Sequence, residues 1–135
     1  MSAKFYRGER LKSRKEIGRL FTPAGRAVSS YPLRLAYAEA ATVRGTFPFQ
    51  ASFVVSKRKF KRAVDRNRIK RLMREAYRLE KHRLGAHTTA GEAPERQIAM
   101  LFIYTGKEEM DFRYVRKKMV KVLDQLAASL PPPPR

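Results

Sequence analysis

The chain has 135 residues, a formal net charge of +19, 43% hydrophobic residues and no cysteine. Its length suits one domain, and its apolar fraction excludes a wholly disordered basic tail. Disulfides and thiolate–metal sites are excluded, no run approaches the roughly 18 apolar residues of a membrane helix, and so large a positive excess points to a polyanionic partner, nucleic acid first and an anionic membrane second.

Residues 1–12 read as a mobile basic arm. The opening MSAKFYRGERLKSRKEIGRLF has no apolar run of signal-peptide length, so a cytoplasmic location is expected. Ser13 and Glu16 have the spacing of a capping box, and Ile17, Leu20 and Phe21 form one apolar stripe on a short first helix that Pro23 and Gly25 end. In YPLRLAYA, Leu33, Leu35 and Tyr37 alternate with Arg34 and Ala36, which predicts a half-buried strand. EAATVRGTFP reads as a connection. FQASFVVS predicts a second strand, with Phe49, Ala51, Phe53 and Val55 on one face and Gln50, Ser52, Val54 and Ser56 on the other. KRKFKR follows as a short edge strand.

Residues 63–83 predict a long helix. Ile69, Leu72, Met73, Ala76 and Tyr77 recur at helical spacing and form its packing side. Arg66, Asn67, Lys70, Arg71, Arg74, Arg78 and Lys81 share the other side. Residues 85–95 read as a surface loop with His82 and His87 on the surface beside it. QIAMLFIYTG reads as a strand covered on both faces. Asp111 can cap a last helix with the stripe Phe112, Val115, Met119, Val122, Leu126 and Leu130, and PPPPR stops it. The order α-β-β-(β)-α-β-α describes one α+β domain.

Between positions 56 and 83 stand thirteen Lys or Arg against three acids. A merely solvated helix interleaves signs, because like charges at i,i+4 repel. Here Arg66, Lys70, Arg74 and Arg78 follow one another at that spacing with nothing local to offset them. Arginine's planar fork suits phosphate. Asn67 has two open readings: a polar reader of a base edge or 2′-hydroxyl, or the cap of its own helix.

The stretch SFVVSKRKFKRAVDRNRIKRLMREAYR resembles the signature of the bacterial ribonuclease P protein family. Val55-Ser56-Lys57-Arg58, the run Ala63 to Arg71, and Arg74-Glu75 carry the resemblance. It extends over about residues 9–128, leaving 1–8 as a basic arm and 131–135 as a Pro-rich tail of a single domain. It implies an α+β sandwich, a four-stranded sheet packed with helices and containing a left-handed β-α-β crossover. It implies a holoenzyme of one catalytic RNA and one small protein that removes the 5′ leader from precursor tRNA, with the catalytic centre and its Mg²⁺ in the RNA. No catalytic residue, bound cofactor, metal site, membrane or protein partner is then expected for the chain.

The implied docking residues for the catalytic RNA are Lys57, Arg58, Lys61, Arg62, Arg66, Asn67, Arg68, Lys70, Arg71, Arg74 and Arg78. The implied cleft for the single-stranded leader takes Arg10, Lys12, Arg14, Ile17, Phe21, Arg34, Ala36, Gln50, Ser52 and Val54. That cleft departs from the family in aromatic content: Ile17 stands where an aromatic is common. Phe21 can equally be core. Asp65, Glu75 and Glu80 sit among arginines and suit ion pairing better than metal binding. The competing reading is a structural RNA-binding protein of ribosomal type, which shares the charge and size; the motif at 55–75 argues against it.

Overall fold

The computed structural model describes residues 4–87 and 96–130, so most of the 85–95 loop and the 131–135 tail lie outside the described residues. The elements are α1 (Arg14–Arg19), β1 (Arg26–Ser30), β2 (Leu33–Glu39), β3 (Phe49–Val55), α2 (Ala63–Glu80), β4 (Ile98–Tyr104) and α3 (Phe112–Ser129). The sheet order is β1-β2-β4-β3, with β2 antiparallel to both neighbours and β3 parallel to β4. β3, α2 and β4 thus form the expected β-α-β unit, and the fold is the α+β arrangement the sequence implied.

The alternation within β4 divides the interior in two. Ile98, Met100, Phe102 and Tyr104 face α2 and α3 and join the large core with Leu35, Ile69, Met73, Tyr77, Met119 and Leu126. Ala99 and Leu101 face the other way and meet Leu11, Leu20, Ala36 and Ala38 beneath α1, with Ile17 and Ile103 at the edge. Large side chains hold the two long helices, and small ones let a helix of six residues approach the sheet closely.

Three expectations are corrected. The first strand of the sheet is β1, which the sequence reading passed over, and KRKFKR is not a strand. β1 is an edge strand whose only half-buried apolar residue is Val28, so it has no period-2 signal. Residues 57–59 instead make a turn, and the Lys59 ammonium donates to the Thr105 carbonyl at 2.8 Å. The order of elements is unchanged by this exchange.

The arm is the second correction. Arg7–Glu9 form a 3-10 turn, the Leu11 N–H donates to the Ala51 carbonyl at 2.9 Å, and Leu11 is buried. Phe5 packs edge-on against Phe53 and Tyr77, with ring centroids 5.8 Å away in each case. The buried Glu9 carboxylate accepts from the Lys81 ammonium at 2.8 Å. Apolar residues scattered among cations hid this packing in the sequence.

The capping box is half formed, the third correction. The Ser13 hydroxyl accepts from the Glu16 N–H at 3.3 Å. The Glu16 carboxylate turns instead to the β2–β3 connection, where the N–H groups of Ala41 and Thr42 donate at 3.1 and 3.2 Å and Arg44 at 2.8 Å. Arg19 donates at 3.2 Å. Burial alone would raise the pKa of Glu16, but these donors, Arg44 foremost, outweigh it and hold the carboxyl at about 2, against an ordinary 4.5. A lowered folded pKa contributes stability above the unfolded value that is lost as pH falls through the folded one. Thermal melts from pH 5 to pH 2 should therefore show part of the acid sensitivity residing at Glu16. Glu16→Gln should cost about 2 kcal/mol at neutral pH, discounted for the partial exposure of both arginines. It should also flatten the acid limb, and an unchanged limb would contradict this assignment.

Candidate nucleic-acid interface

Helix α2 buries Ile69, Met73, Ala76, Tyr77 and Glu80 and leaves Leu72 half-buried at the seam. Asn67, Arg71 and Arg74 are exposed on the opposite side, and Lys70 is half-buried at its flank. The N-cap position belongs to Arg62, whose side chain makes no capping bond. Asn67 lies in the second turn, so the capping reading of this residue is withdrawn.

The basic face is less uniform than its spacing implied. The Arg66 guanidinium donates to the Phe60 and Lys61 carbonyls, each at 2.8 Å, and ties the 57–62 link to the helix. Arg68 donates to Asp65 at 3.2 Å and to Glu109, on the connection between β4 and α3, at 3.0 Å. Arg78 pairs with Glu75, and its guanidinium lowers the pKa of that carboxyl. The expectation that nothing local offsets the row Arg66, Lys70, Arg74 and Arg78 therefore fails at Arg66 and Arg78. Lys70, Arg71 and Arg74 form no ion pair among the described residues. Lys57, Arg58, Lys61 and Arg62 are exposed on the link before the helix, where only Arg62 comes near an acid, Asp65 at 3.9 Å.

The sheet residues chosen from the sequence share one face. By register, Arg34 and Val54 flank Ile103, and Ala36 and Ser52 flank Leu101. Arg34 and Val54 are exposed; Ala36 is buried beneath α1, and Ile17 is half-buried against the same small cluster. Gln50 is also buried, its amide donating to the Gly8 carbonyl at 3.1 Å. Ala36 and Gln50 are therefore covered, and Ile17 is partly so. Phe21 is 68% exposed, which removes the core alternative for this ring. Arg14 is exposed on the first turn of α1.

A cleft of about 240 Å³ joins the two groups of residues: Arg10, Lys12 and Ser52 on one side, Lys70 and Arg74 on the other, with Phe5 and Phe53 between. Arg10 lies over the Phe5 ring at 5.8 Å. Sequence reasoning missed Phe5 and Phe53 here because one lay in the supposed arm and the other on the core face. A larger cavity, about 420 Å³, is lined by Phe47, Phe49, Tyr77 and Leu84 with the Glu9–Lys81 pair at its wall, and contains only Arg78 of the chosen residues.

Asp65, Glu75 and Glu80 act as partners of arginines. Glu80 is buried between α2 and α3 and accepts from Arg83 at 2.9 Å and Arg116 at 2.6 Å; burial opposes its ionisation, but the two guanidinium groups hold its pKa below the ordinary value. Among the described residues, no three acids or histidines gather at one point as ligands of a divalent ion would. His82 is exposed, as expected; the side chain of His87 lies outside the described residues. None of the described helices is long and apolar enough to cross a membrane.

A family model described as Ribonuclease P matches residues 5–127. The ribonuclease P protein component of Porphyromonas gingivalis is 41% identical over 129 residues, which is 93% of this chain and 88% of the relative. That of Chlorobaculum tepidum is 39% identical over 107 residues, 76% of this chain and 68% of the relative. Among solved structures, the ribonuclease P protein of Thermotoga maritima superposes with a TM-score of 0.63 at 21% identity, over 87% of this chain and 96% of that one. That of Staphylococcus aureus gives 0.58 at 20% identity, over 98% and 99%. At these identities the solved structures speak for the fold.

Arg66 has a structural role apart from any ligand. Arg66→Ala should cost about 1 kcal/mol in chemical denaturation and speed amide exchange in the 57–62 link, because two carbonyls lose a charged donor. Exchange equal to that of the unaltered chain would refute the role.

Proposed function

The chain belongs to the ribonuclease P protein family, whose members are protein components of a tRNA-processing ribonucleoprotein, and on that premise we propose how its surfaces divide the work. The exposed face of α2 and the link before it dock on the catalytic RNA of the holoenzyme. The cleft between the N-terminal segment, β3 and α2 holds the single-stranded 5′ leader of precursor tRNA.

One observation carries this reading. Whereas Asp65, Glu75 and Glu80 pair with particular arginines, Lys70, Arg71 and Arg74 form no ion pair among the described residues, and Lys70 and Arg74 line a cleft that also holds Arg10 and Lys12. Such cations repel one another in the free protein and are relieved by phosphates, whose bound counterions are released. Ser52 is the polar sheet residue of the cleft, and Val54 and Arg34 are exposed on the same sheet face beyond it, so charge and hydrogen bonding outweigh stacking; Phe5 and Phe53 supply rings within the cleft, and the exposed Phe21 supplies one outside it. Asn67, exposed between cations, is placed to read an RNA edge or 2′-hydroxyl. The hydrolytic centre and its Mg²⁺ reside in the RNA. The chain contributes no catalytic group or cofactor and needs no protein partner, and the holoenzyme works in the cytoplasm.

Cleavage assays test the division directly. The purified chain alone should leave precursor tRNA intact, and adding it to its RNA should permit leader removal at low magnesium. Efficient cleavage by RNA-free protein would overturn the reading. In filter binding across a salt series, Arg71→Ala and Arg74→Ala should each weaken binding to the RNA and reduce the log–log salt slope by about 0.9. Arg68→Ala should change the slope less, since Asp65 and Glu109 already neutralise it. Equal effects at all three positions would sink the distinction.

A further inference from the structure

A second cationic surface lies on α3. Between Arg113 and Lys121 the sequence holds five cations and no acid. The buried side of this helix is Val115, Met119, Val122, Leu123 and Leu126, so at 100° per residue Arg113, Lys117 and Lys121 point away from the sheet. All three are exposed, and none forms an ion pair among the described residues. Lys118 lies beside them over the Tyr114 ring at 5.2 Å. Arg116, on the flank toward α2, has Glu80 for a partner.

This surface does not continue the face of α2. Acids occupy the seam between the helices: Asp65 and Glu109 bind Arg68, while Glu80 and Asp124 bind Arg83. The seam is locally neutral and divides two faces that retain their positive charge. Charges at i,i+4 stand about 6 Å apart along a helix axis and repel when unpartnered. Two of the three are lysines, point charges suited to a phosphate backbone and poor at reading bases.

We propose that Arg113, Lys117 and Lys121 form a second phosphate-backbone contact with RNA, so that the chain bridges two separate segments of its RNA partner, one on α2 and one on α3. The proposal rests on the reading of the chain as an RNA-docking subunit.

The test compares the unaltered chain, an α2 variant (R71Q/R74Q) and an α3 variant (R113Q/K117Q/K121Q), each bound to the holoenzyme RNA over 50–200 mM salt, with hydroxyl-radical footprinting. The α3 variant should lose about 2.7 units of salt slope, which is ~40-fold less change in affinity over that range. It should also lose protection at an RNA segment that the α2 variant still protects. A charge-preserving variant (R113K/K117R/K121R) should keep both slope and protection, which separates charge from folding defects. An α3 variant with the unaltered slope and footprint, or one losing the same protections as the α2 variant, would overturn the bridge. Failure of the unaltered chain to bind the RNA would instead overturn the docking reading on which both surfaces rest.

Discussion

Strand β4 has no polar face, and everything else is arranged around that. Its seven residues are apolar throughout, so the sheet must be covered on both sides at its centre. Ile98, Met100, Phe102 and Tyr104 demand a thick layer, which α2 and α3 supply. Ala99 and Leu101 demand only a thin one, which Leu11, Leu20 and the short α1 supply. Because α1 is too short to cover the whole second face, Arg34, Ser52 and Val54 remain at least partly open beside it. A packing requirement thereby leaves the open sheet surface proposed for the leader.

Charge is distributed as unevenly as volume. Two buried carboxylates, Glu16 and Glu80, each draw in two arginines and hold elements together: Glu16 joins α1 to the β2–β3 connection, and Glu80 joins α2 to α3. With only twelve acids against thirty-one Lys and Arg, most cations cannot be paired internally. They collect on outward faces of α2, α3 and the N-terminal segment. Neutralised cations have structural roles, whereas unpartnered ones are available to a polyanion.

The long helices, β2, β3 and β4 were legible because each carries strong periodicity or a solid apolar run. The polar edge strand β1 was not, since a strand paired along one edge and exposed on its face needs little apolar patterning. The packing of Phe5 and Leu11 was hidden because cations stand beside them in sequence, and their partners, Phe53, Tyr77 and Ala51, lie forty or more residues away. Within the site, Arg66, Arg68 and Arg78 looked equivalent to Arg71 and Arg74. The positions of Asp65, Glu75, Glu109 and the Phe60 and Lys61 carbonyls distinguish them.

The sequence by itself determined the α+β class, the amphipathic axis of α2, the basic character of its free side and the family. The first three follow from periodicity and composition and the family from the resemblance carried by the motif at 55–75, all of which are local and survive without a fold. The tertiary structure decided which cations are free, that Asn67 is no cap, that Ala36 and Gln50 are covered, and that a neutral seam separates α2 from the basic face of α3. Some of those outcomes rest on near neighbours, such as Glu75 for Arg78 and the Phe60 carbonyl for Arg66, and others on groups brought together from distant positions; in both cases one-dimensional spacing does not record which contacts are made.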